Sequence, residues 1–267
     1  MGVTAVIAAA GSGERLGAGG PKAFVPLAGR PMIEWSLDAL RRAEVAAIVV
    51  AVPPARSSRP LDPAPEDPRG ASAPGNRQPM GRIVGSDWTF RPAGGDPPTI
   101  VEGGATRSES VANALAVVET ELVAIHDAAR PLLTADLLRG VVATLGADPE
   151  AAGAIAATPV TDTIKRTARR VMNRPHPGVV DSSLGVEETL ERDGLWAAQT
   201  PQVFRAGVLR AAIEAAGGDV DATDEAVLVE RAGGRVLIHP APPENLKVTT
   251  PFDLLLAERL LAERSAQ

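Results

Sequence analysis

Groups able to handle phosphate gather near the start of the chain. Ala9-Ala10-Gly11-Ser12-Gly13-Glu14-Arg15-Leu16-Gly17 is a glycine-rich run, and Pro21-Lys22 follows it closely. Glycines lack a Cβ, so backbone N–H groups can approach and cradle phosphate oxygens. Ala9, Ala10, Gly11, Ser12 and Gly13 are candidate nucleotide contacts, and Arg15 and Lys22 add two fixed cations on the same loop. The phosphate loop of NTPases has a different pattern, because Lys22 here follows proline and lies outside the glycine run. Gly-x-Gly-x-x-Gly is also excluded, since the glycines fall at 11, 13 and 17. A plain glycine turn with solvated charges is the competing reading. Two cations at these offsets, directly after a first apolar run, weigh against it.

Composition narrows the remaining chemistry. With no Cys, disulfides, thiolate metal sites and Cys nucleophiles are excluded, and three His residues disfavour a His-rich metal centre. A formal charge of −6 argues against a general nucleic-acid or anionic-membrane binder, while leaving room for a local basic pocket. Asp127 and Arg130, in His126-Asp127-Ala128-Ala129-Arg130-Pro131, follow a short apolar run. They fit either a binding site or a strand-ending Asx turn in which Arg130 pairs with Asp127. Thr106 and Glu109 have capping-box spacing, and Arg107 between them fits either a nucleotide contact or a surface charge. Thr223-Asp224-Glu225 fits a substrate-facing loop or a helix start equally well. His126, standing alone, is assigned to structure.

Elements that could position these groups alternate along the chain. Val3 to Ala9, Ala46 to Val52, Leu122 to Ile125 and Ala152 to Ala157 are short unbroken apolar runs, expected as strands buried on both faces. Met32 to Ala43, Ser108 to Val118 and Asp136 to Leu145 have helical spacing, the last behind an N-cap at Thr134. Later segments predict helices over Ala206 to Ala216, Asp224 to Ala232 and Phe252 to Arg264, and a strand over Arg235 to Ile238. This alternation predicts a Rossmann-like α/β fold: a mostly parallel sheet with helices on both faces and a ligand crevice beyond the C-terminal strand ends. Each candidate motif falls just after a strand.

Two stretches interrupt the rhythm of what is otherwise expected to be one domain over residues 1–267. Pro53 to Pro98 holds 11 of the 24 prolines and six glycines, and is expected to be an irregular insertion. Residues 163–196 lack a clear helix period and are expected to form an extended arm leaving the domain. Met1 to Ile7 shows no basic region or cleavable apolar stretch, and no run nears the ~20 apolar residues that span a bilayer, so a cytoplasmic protein is expected.

A Gly-x-Gly-x-Arg loop with a Pro-Lys pair resembles the opening of nucleoside-triphosphate transferases. Six further segments narrow the resemblance: Gly103 to Val111, His126 to Pro131, Asp162 to Lys165, Leu195 to Gln202, Thr223 to Glu225 and Asn245 to Thr249. Their order is similar to that in methylerythritol-phosphate cytidylyltransferases, and together they cover the chain apart from the Pro-rich insertion. The resemblance implies that Arg15 and Lys22 stabilise the transition state of CMP transfer from CTP. It implies cytosine recognition by Gly104, Ala105 and Ser110, with the Ala128 backbone near the nucleotide. Asp127 and Arg130 would contact the sugar-like substrate, and Lys247, Thr163, Arg192 and Thr200 its phosphate. It further implies Mg²⁺ accompanying CTP, and a homodimer in which Arg192 on the arm completes the partner's site. Ala23 and Ala105 depart from residues frequent in such relatives. The chain also ends too soon after its last helix for a fused second enzyme to be expected.

Two other functions compete with this one. Another polyol phosphate, such as ribitol 5-phosphate, would be the acceptor in a close relative, and a nucleotide-binding protein of the same fold without catalysis is the second. A dinucleotide-dependent oxidoreductase is disfavoured by the glycine spacing and by the absence of an acidic residue ending the second strand.

Overall fold

The computed structural model describes residues 2–11, 21–53, 96–167, 185–217 and 224–265. Its centre is a sheet of seven strands. These are β1 (Val3–Ala8), β4 (Ala47–Val52), β5 (Thr99–Glu102), β6 (Leu122–Asp127), β7 (Gly153–Pro159), β10 (Trp196–Arg205) and β11 (Val236–Pro240). Their order across the sheet is β11-β7-β10-β6-β1-β4-β5. β1 pairs in parallel with β4 and β6, β4 with β5, and β7 with β11; β10 alone runs antiparallel to both its neighbours, β6 and β7. Two short strands, β2 (Pro26–Leu27) and β3 (Arg30–Pro31), form a hairpin beside it.

Period-2 alternation sorts the strand side chains onto two cores. Ala5 and Ile7 of β1 face one layer, built by α1 (Met32–Arg42) and α3 (Ala135–Gly146) through Ile33, Leu37, Leu40, Leu138 and Val141. Val6 of β1, Val49 and Ala51 of β4, and Val123 and Ile125 of β6 face the other. There α2 (Arg107–Leu115), α4 (Ala206–Ala216) and α5 (Glu225–Arg231) supply Val111, Leu115, Leu209 and Val229. The last helix, α6 (Pro251–Ser265), closes a third cluster around Leu27, Met32, Leu132 and Val248. None of the described helices is long and apolar enough to cross a membrane.

Three expectations change. β6 runs two residues beyond Ile125, because Ala8 of β1 still pairs with Asp127, so this aspartate ends the strand instead of following it. β10 was concealed by Gln199-Thr200-Pro201-Gln202, whose proline has no ladder donor; the register shifts between Ala198 and Gln202, a bulge that accommodates it. Trp196 thus opens this strand, although the arm was expected to include it. Thr99–Glu102, just after the Pro-rich stretch, forms a strand not expected from the sequence and pairs with β4 at the sheet edge; most of that stretch, residues 54–95, lies outside the described residues. The arm itself is a separate two-stranded antiparallel ribbon of β8 (Lys165–Thr167) and β9 (Val186–Thr189), with residues 168–184 outside the description.

Candidate active site

The C-terminal ends of β1, β5 and β6 point to one side of the sheet, and residues following them wall a cleft of about 480 Å³. Backbone bonds fix its floor: Ala9 N–H donates to the Ala51 carbonyl at 3.0 Å, and Ala128 N–H to the Ala8 carbonyl at 3.3 Å. Lys22 N–H donates to the Gly11 carbonyl at 3.2 Å, which anchors the far end of the glycine-rich loop. Lys22 then opens a 3-10 turn, Lys22–Phe24, whose Ala23 and Phe24 are buried.

On the opposite wall, Gly103 and Gly104 have no room for a side chain. A Cβ on Gly103 would stand 2.8 Å from Ser110 Oγ and 3.0 Å from the Val52 carbonyl; one on Gly104 would stand 2.3 Å from Glu109 Cβ. The loop closes that tightly because Thr106 and Glu109 form the expected capping box of α2. Glu109 Oε2 also accepts the Ala105 N–H at 2.7 Å. Ser110 Oγ accepts the Gly104 N–H at 3.1 Å and donates to the Thr106 carbonyl at 2.8 Å. The Gly103–Ser110 segment is therefore braced by its own hydrogen bonds.

Charge is concentrated behind the cleft. Arg107 Nη1 donates to Glu225 Oε1 at 2.5 Å and Oε2 at 2.7 Å, while its Nε and Nη2 lie 3.2 and 3.1 Å from Asp127 Oδ1. Lys247 Nζ takes the other oxygen, Asp127 Oδ2, at 2.7 Å. Burial alone would raise the Asp127 carboxyl, but Arg107 and then Lys247 hold it well below the usual carboxylate range. Burial pushes Glu225 up, with Arg107 pulling against it; the same two carboxylates keep the Arg107 guanidinium firmly charged against its own burial. Of the two readings open for Arg107, a surface charge is the wrong one: it bridges two buried carboxylates and lines the cleft.

His126 holds the base of this network. It is fully buried; its Nε2 lies 3.1 Å from the Arg130 carbonyl and its Nδ1 3.1 Å from Thr200 Oγ1. A carbonyl can only accept, so Nε2 carries the proton and Nδ1 accepts from the Thr200 hydroxyl. Thr200 Oγ1 in turn accepts the Asp127 N–H at 3.0 Å. Burial pushes the imidazole down to about 4. An unfolded His titrates near ~6.5. As pH falls from there to about 4, the unfolded chain binds a proton that the folded one refuses, so stability is lost across that window. The expected slope is roughly 1 kcal/mol per pH unit. Denaturant midpoints measured between pH 4 and 7 should show this slope, and His126→Gln should flatten it; an equal slope in that variant would remove His126 as the cause.

The cleft wall brings together Ala9, Ala10, Gly11, Lys22, Gly104, Ala105, Ser110, Asp127, Ala128 and Lys247. Arg15, Ser12 and Gly13 lie outside the described residues. Arg130, Thr200, Thr163 and Arg192 are not on this wall. Arg130 is buried behind it: its N–H closes a turn on the Asp127 carbonyl at 2.9 Å, while its guanidinium donates through Nη1 to the Asn245 carbonyl at 2.8 Å. Thr200 is buried with its hydroxyl engaged as above. Thr163 and Arg192 are exposed on the arm side, and Arg192 Nη1 donates to the Thr161 carbonyl at 2.5 Å. Asp224, expected as either substrate-facing or a helix cap, is the N-cap of α5 and accepts the Val227 N–H at 3.2 Å.

Sequence reasoning missed Asn245 and undervalued Glu225. Asn245 is 1 % exposed and ties three loops together: its Nδ2 donates to Gln199 Oε1 at 2.8 Å and the Thr200 carbonyl at 2.9 Å, and its carbonyl receives Arg130. Its place two residues before Lys247 was the available signal. The Lys247 loop is further pinned by Val248 N–H donating to the Ala129 carbonyl at 2.8 Å. Asp253 Oδ2 accepts from Thr249 Oγ1 and from the N–H groups of Thr249 and Thr250, bonds that hold its carboxyl down at about 2.

The sequence profile described as 2-C-methyl-D-erythritol 4-phosphate cytidylyltransferase matches residues 89–263, and one described as a MobA-like NTP transferase domain matches residues 5–85. The 2-C-methyl-D-erythritol 4-phosphate cytidylyltransferase of Dechloromonas aromatica is 37 % identical over 266 residues, 97 % of each chain. That of Parasynechococcus marenigrum is 40 % identical over 264 residues, again 97 % of each. Among solved structures, the enzyme of the same name from Thermus thermophilus superposes with a TM-score of 0.68 at 30 % identity, covering 98 % of this chain and 100 % of its own.

Proposed function

The chain belongs to the 2-C-methyl-D-erythritol 4-phosphate cytidylyltransferase family, and from that premise we propose how its residues divide the reaction. The enzyme transfers CMP from CTP to 2-C-methyl-D-erythritol 4-phosphate, giving 4-diphosphocytidyl-2-C-methyl-D-erythritol and pyrophosphate in isoprenoid precursor synthesis. One observation carries the residue assignment: Lys22 and Lys247, from opposite ends of the chain, line a single cleft with Ala9, Ala10, Gly11 and Asp127.

Both reactants are anionic, so the site must supply positive charge in advance. A phosphate oxygen of the acceptor attacks the α-phosphorus of CTP; the new P–O bond forms as the bond to the β-phosphate oxygen breaks in line, and pyrophosphate leaves with that electron pair. Lys22, with Arg15 on the same loop, faces the charge gathering on the α-phosphoryl oxygens. The backbone from Ala9 to Gly13 cradles the triphosphate. The nucleophile is already ionised near neutral pH, so no side chain has to take a proton. At the base, the N–H groups of Gly104 and Ala105 are already engaged by Ser110 and Glu109. Their remaining backbone groups are carbonyls, which suit the exocyclic amine of cytosine and oppose the carbonyl of uracil. Ser110 braces this segment beside the base, and the Ala128 backbone borders the nucleotide.

Asp127 takes acceptor hydroxyls, with Arg130 buried behind it, and Lys247 takes the acceptor phosphate. Thr200 serves that end of the cleft by holding the Asp127 backbone. Among the described residues, no group of three or more His, Asp or Glu could hold a metal, and both Asp127 oxygens are engaged. This donor set does not fit a resident cation. Mg²⁺ would instead accompany the nucleotide, where it would neutralise charge on the triphosphate.

The acceptor end is completed in a homodimer. Arg192 and Thr163 stand off the cleft of their own protomer, at the root of a ribbon that, among the described residues, has no core of its own and exposes Val186, with Trp196 of β10 exposed beside its root. Docked on a second copy, the arm would bring Arg192 and Thr163 to the acceptor phosphate there.

Pyrophosphate release tests the whole assignment. CTP with methylerythritol phosphate should exceed UTP by at least about a hundredfold in kcat/KM, because a mismatched base leaves polar groups unpaired. ATP, GTP, and CTP with ribitol 5-phosphate serve as the other arms. Preference for UTP would overturn the base-reading assignment, and preference for ribitol 5-phosphate the acceptor assignment.

A further inference from the structure

Glu225 occupies an unusual position. It is the first residue of α5, its side chain is wholly buried, and it does not line the cleft. A buried carboxylate is costly even when paired, and an apolar side chain of similar volume would serve packing alone without that cost. What Glu225 does instead is grip one nitrogen of Arg107 through both its oxygens, at 2.5 and 2.7 Å. The remaining face of the same guanidinium is thereby turned onto Asp127 Oδ1, at 3.1 and 3.2 Å. Asp127 has its N–H fixed by Thr200 and its second oxygen on Lys247 Nζ at 2.7 Å. Charges therefore alternate along one line from the interior to the cleft: Glu225, Arg107, Asp127, Lys247.

We propose that Glu225 is a positioning residue for the acceptor phosphate, acting through Arg107 and Asp127 to set the place and the availability of the Lys247 ammonium. The physical argument is one of shared charge. Arg107 divides its attraction between two carboxylates. With Glu225 neutral, Arg107 would bear on Asp127 alone and draw its carboxylate away from Lys247. The Lys247 side chain, 42 % exposed, would then lose the partner that holds it over the cleft. Geometry matters as well as charge, because Nη1 held between both Glu225 oxygens, with Nε and Nη2 both on Asp127 Oδ1, fixes the guanidinium plane. The nucleotide end of the cleft, formed by the glycine-rich loop and the Gly104 segment, is not part of this line. The effect should accordingly fall on one substrate only.

The inference rests on the reading that Asp127 and Lys247 serve the acceptor, and the test separates the two. Steady-state constants for both substrates are measured on the full-length protein carrying Glu225→Gln, Lys247→Ala or both, with melting temperatures alongside. Glu225→Gln is expected to raise the KM for methylerythritol phosphate roughly tenfold, the weight of one charge-assisted hydrogen bond, with the KM for CTP within about twofold of the parent. In the double variant it should add little to Lys247→Ala, because both act on one contact. A lowered melting temperature with both KM values unchanged would overturn the proposal, as would a parallel rise in both. An unchanged acceptor KM in Lys247→Ala would instead overturn the site reading, and the proposal with it. Should Glu225→Gln not give folded protein, Arg107→Met with Glu225→Leu removes both charges together. There Asp127 Oδ1 loses both Arg107 bonds that fix its place beside Lys247, so an acceptor-specific rise is again expected, and its absence counts equally against the idea.

Discussion

Lys22→Ala should lower kcat by roughly a hundredfold to a thousandfold while CTP affinity changes by less than about threefold. The asymmetry follows from where negative charge develops. The triphosphate is already fully charged in the ground state and, on the proposed reading, is held by backbone donors. The α-phosphoryl oxygens gain charge only as attack proceeds, and a cation placed for them acts mainly on the transition state. Lys22 is well suited to this because the chain fixes its root. Its N–H is tied to the Gly11 carbonyl, and Ala23 and Phe24 behind it are each 2 % exposed. The variant should therefore keep that turn and the fold. Pyrophosphate release compared with CTP titration calorimetry would decide the matter, and turnover near the parent value would remove Lys22 from the chemistry. The same variant tests the shared site. Mixed with Arg192→Ala, it should regain part of the activity, since some mixed dimers would hold one intact cleft; no recovery would argue that each protomer works alone.

Arg107→Met should destabilise the protein by about 3–5 kcal/mol near neutral pH, the cost of leaving buried charge without its partner. Glu225 has no exposed side-chain surface through which water could compensate, and Asp127 would keep only Lys247 and the more distant Arg130. The variant would meet this cost by protonating Glu225, raising its folded pKa further. A raised folded pKa gives stability that is present below the unfolded value, ~4.3, and lost as pH rises. The deficit against the parent should thus widen from about pH 5 to about pH 8. Adding Glu225→Leu should recover most of it, because no unpaired carboxylate then remains at the start of α5. Urea unfolding of the parent, the single variant and the pair at both pH values checks this. A deficit below about 1 kcal/mol, the scale of an exposed pair, would mean that Arg107 is better solvated than its contacts imply.

These effects also mark what each level of organisation supplies. The residues alone determined the layers. Apolar runs of strand length alternating with 3.6-period segments require a sheet buried on both faces, and the parity of Ala5, Val6 and Ile7 in β1 already assigns them to opposite sides. Local motifs were equally legible. The Thr106–Glu109 box and the Thr134 cap act over a few residues, and their physics is complete within that span.

Tertiary structure decided which loops meet. Nothing local places β6 beside β1, or runs β10 antiparallel between β6 and β7, yet those neighbours bring Thr200 to the Asp127 backbone and Asn245 to Arg130. The character of Arg107 was undetermined for the same reason. Whether a guanidinium is a surface charge or the bridge between two buried carboxylates depends on partners supplied by β6 and α5, and Coulomb energy is set by distance and burial, which spacing along the chain does not encode.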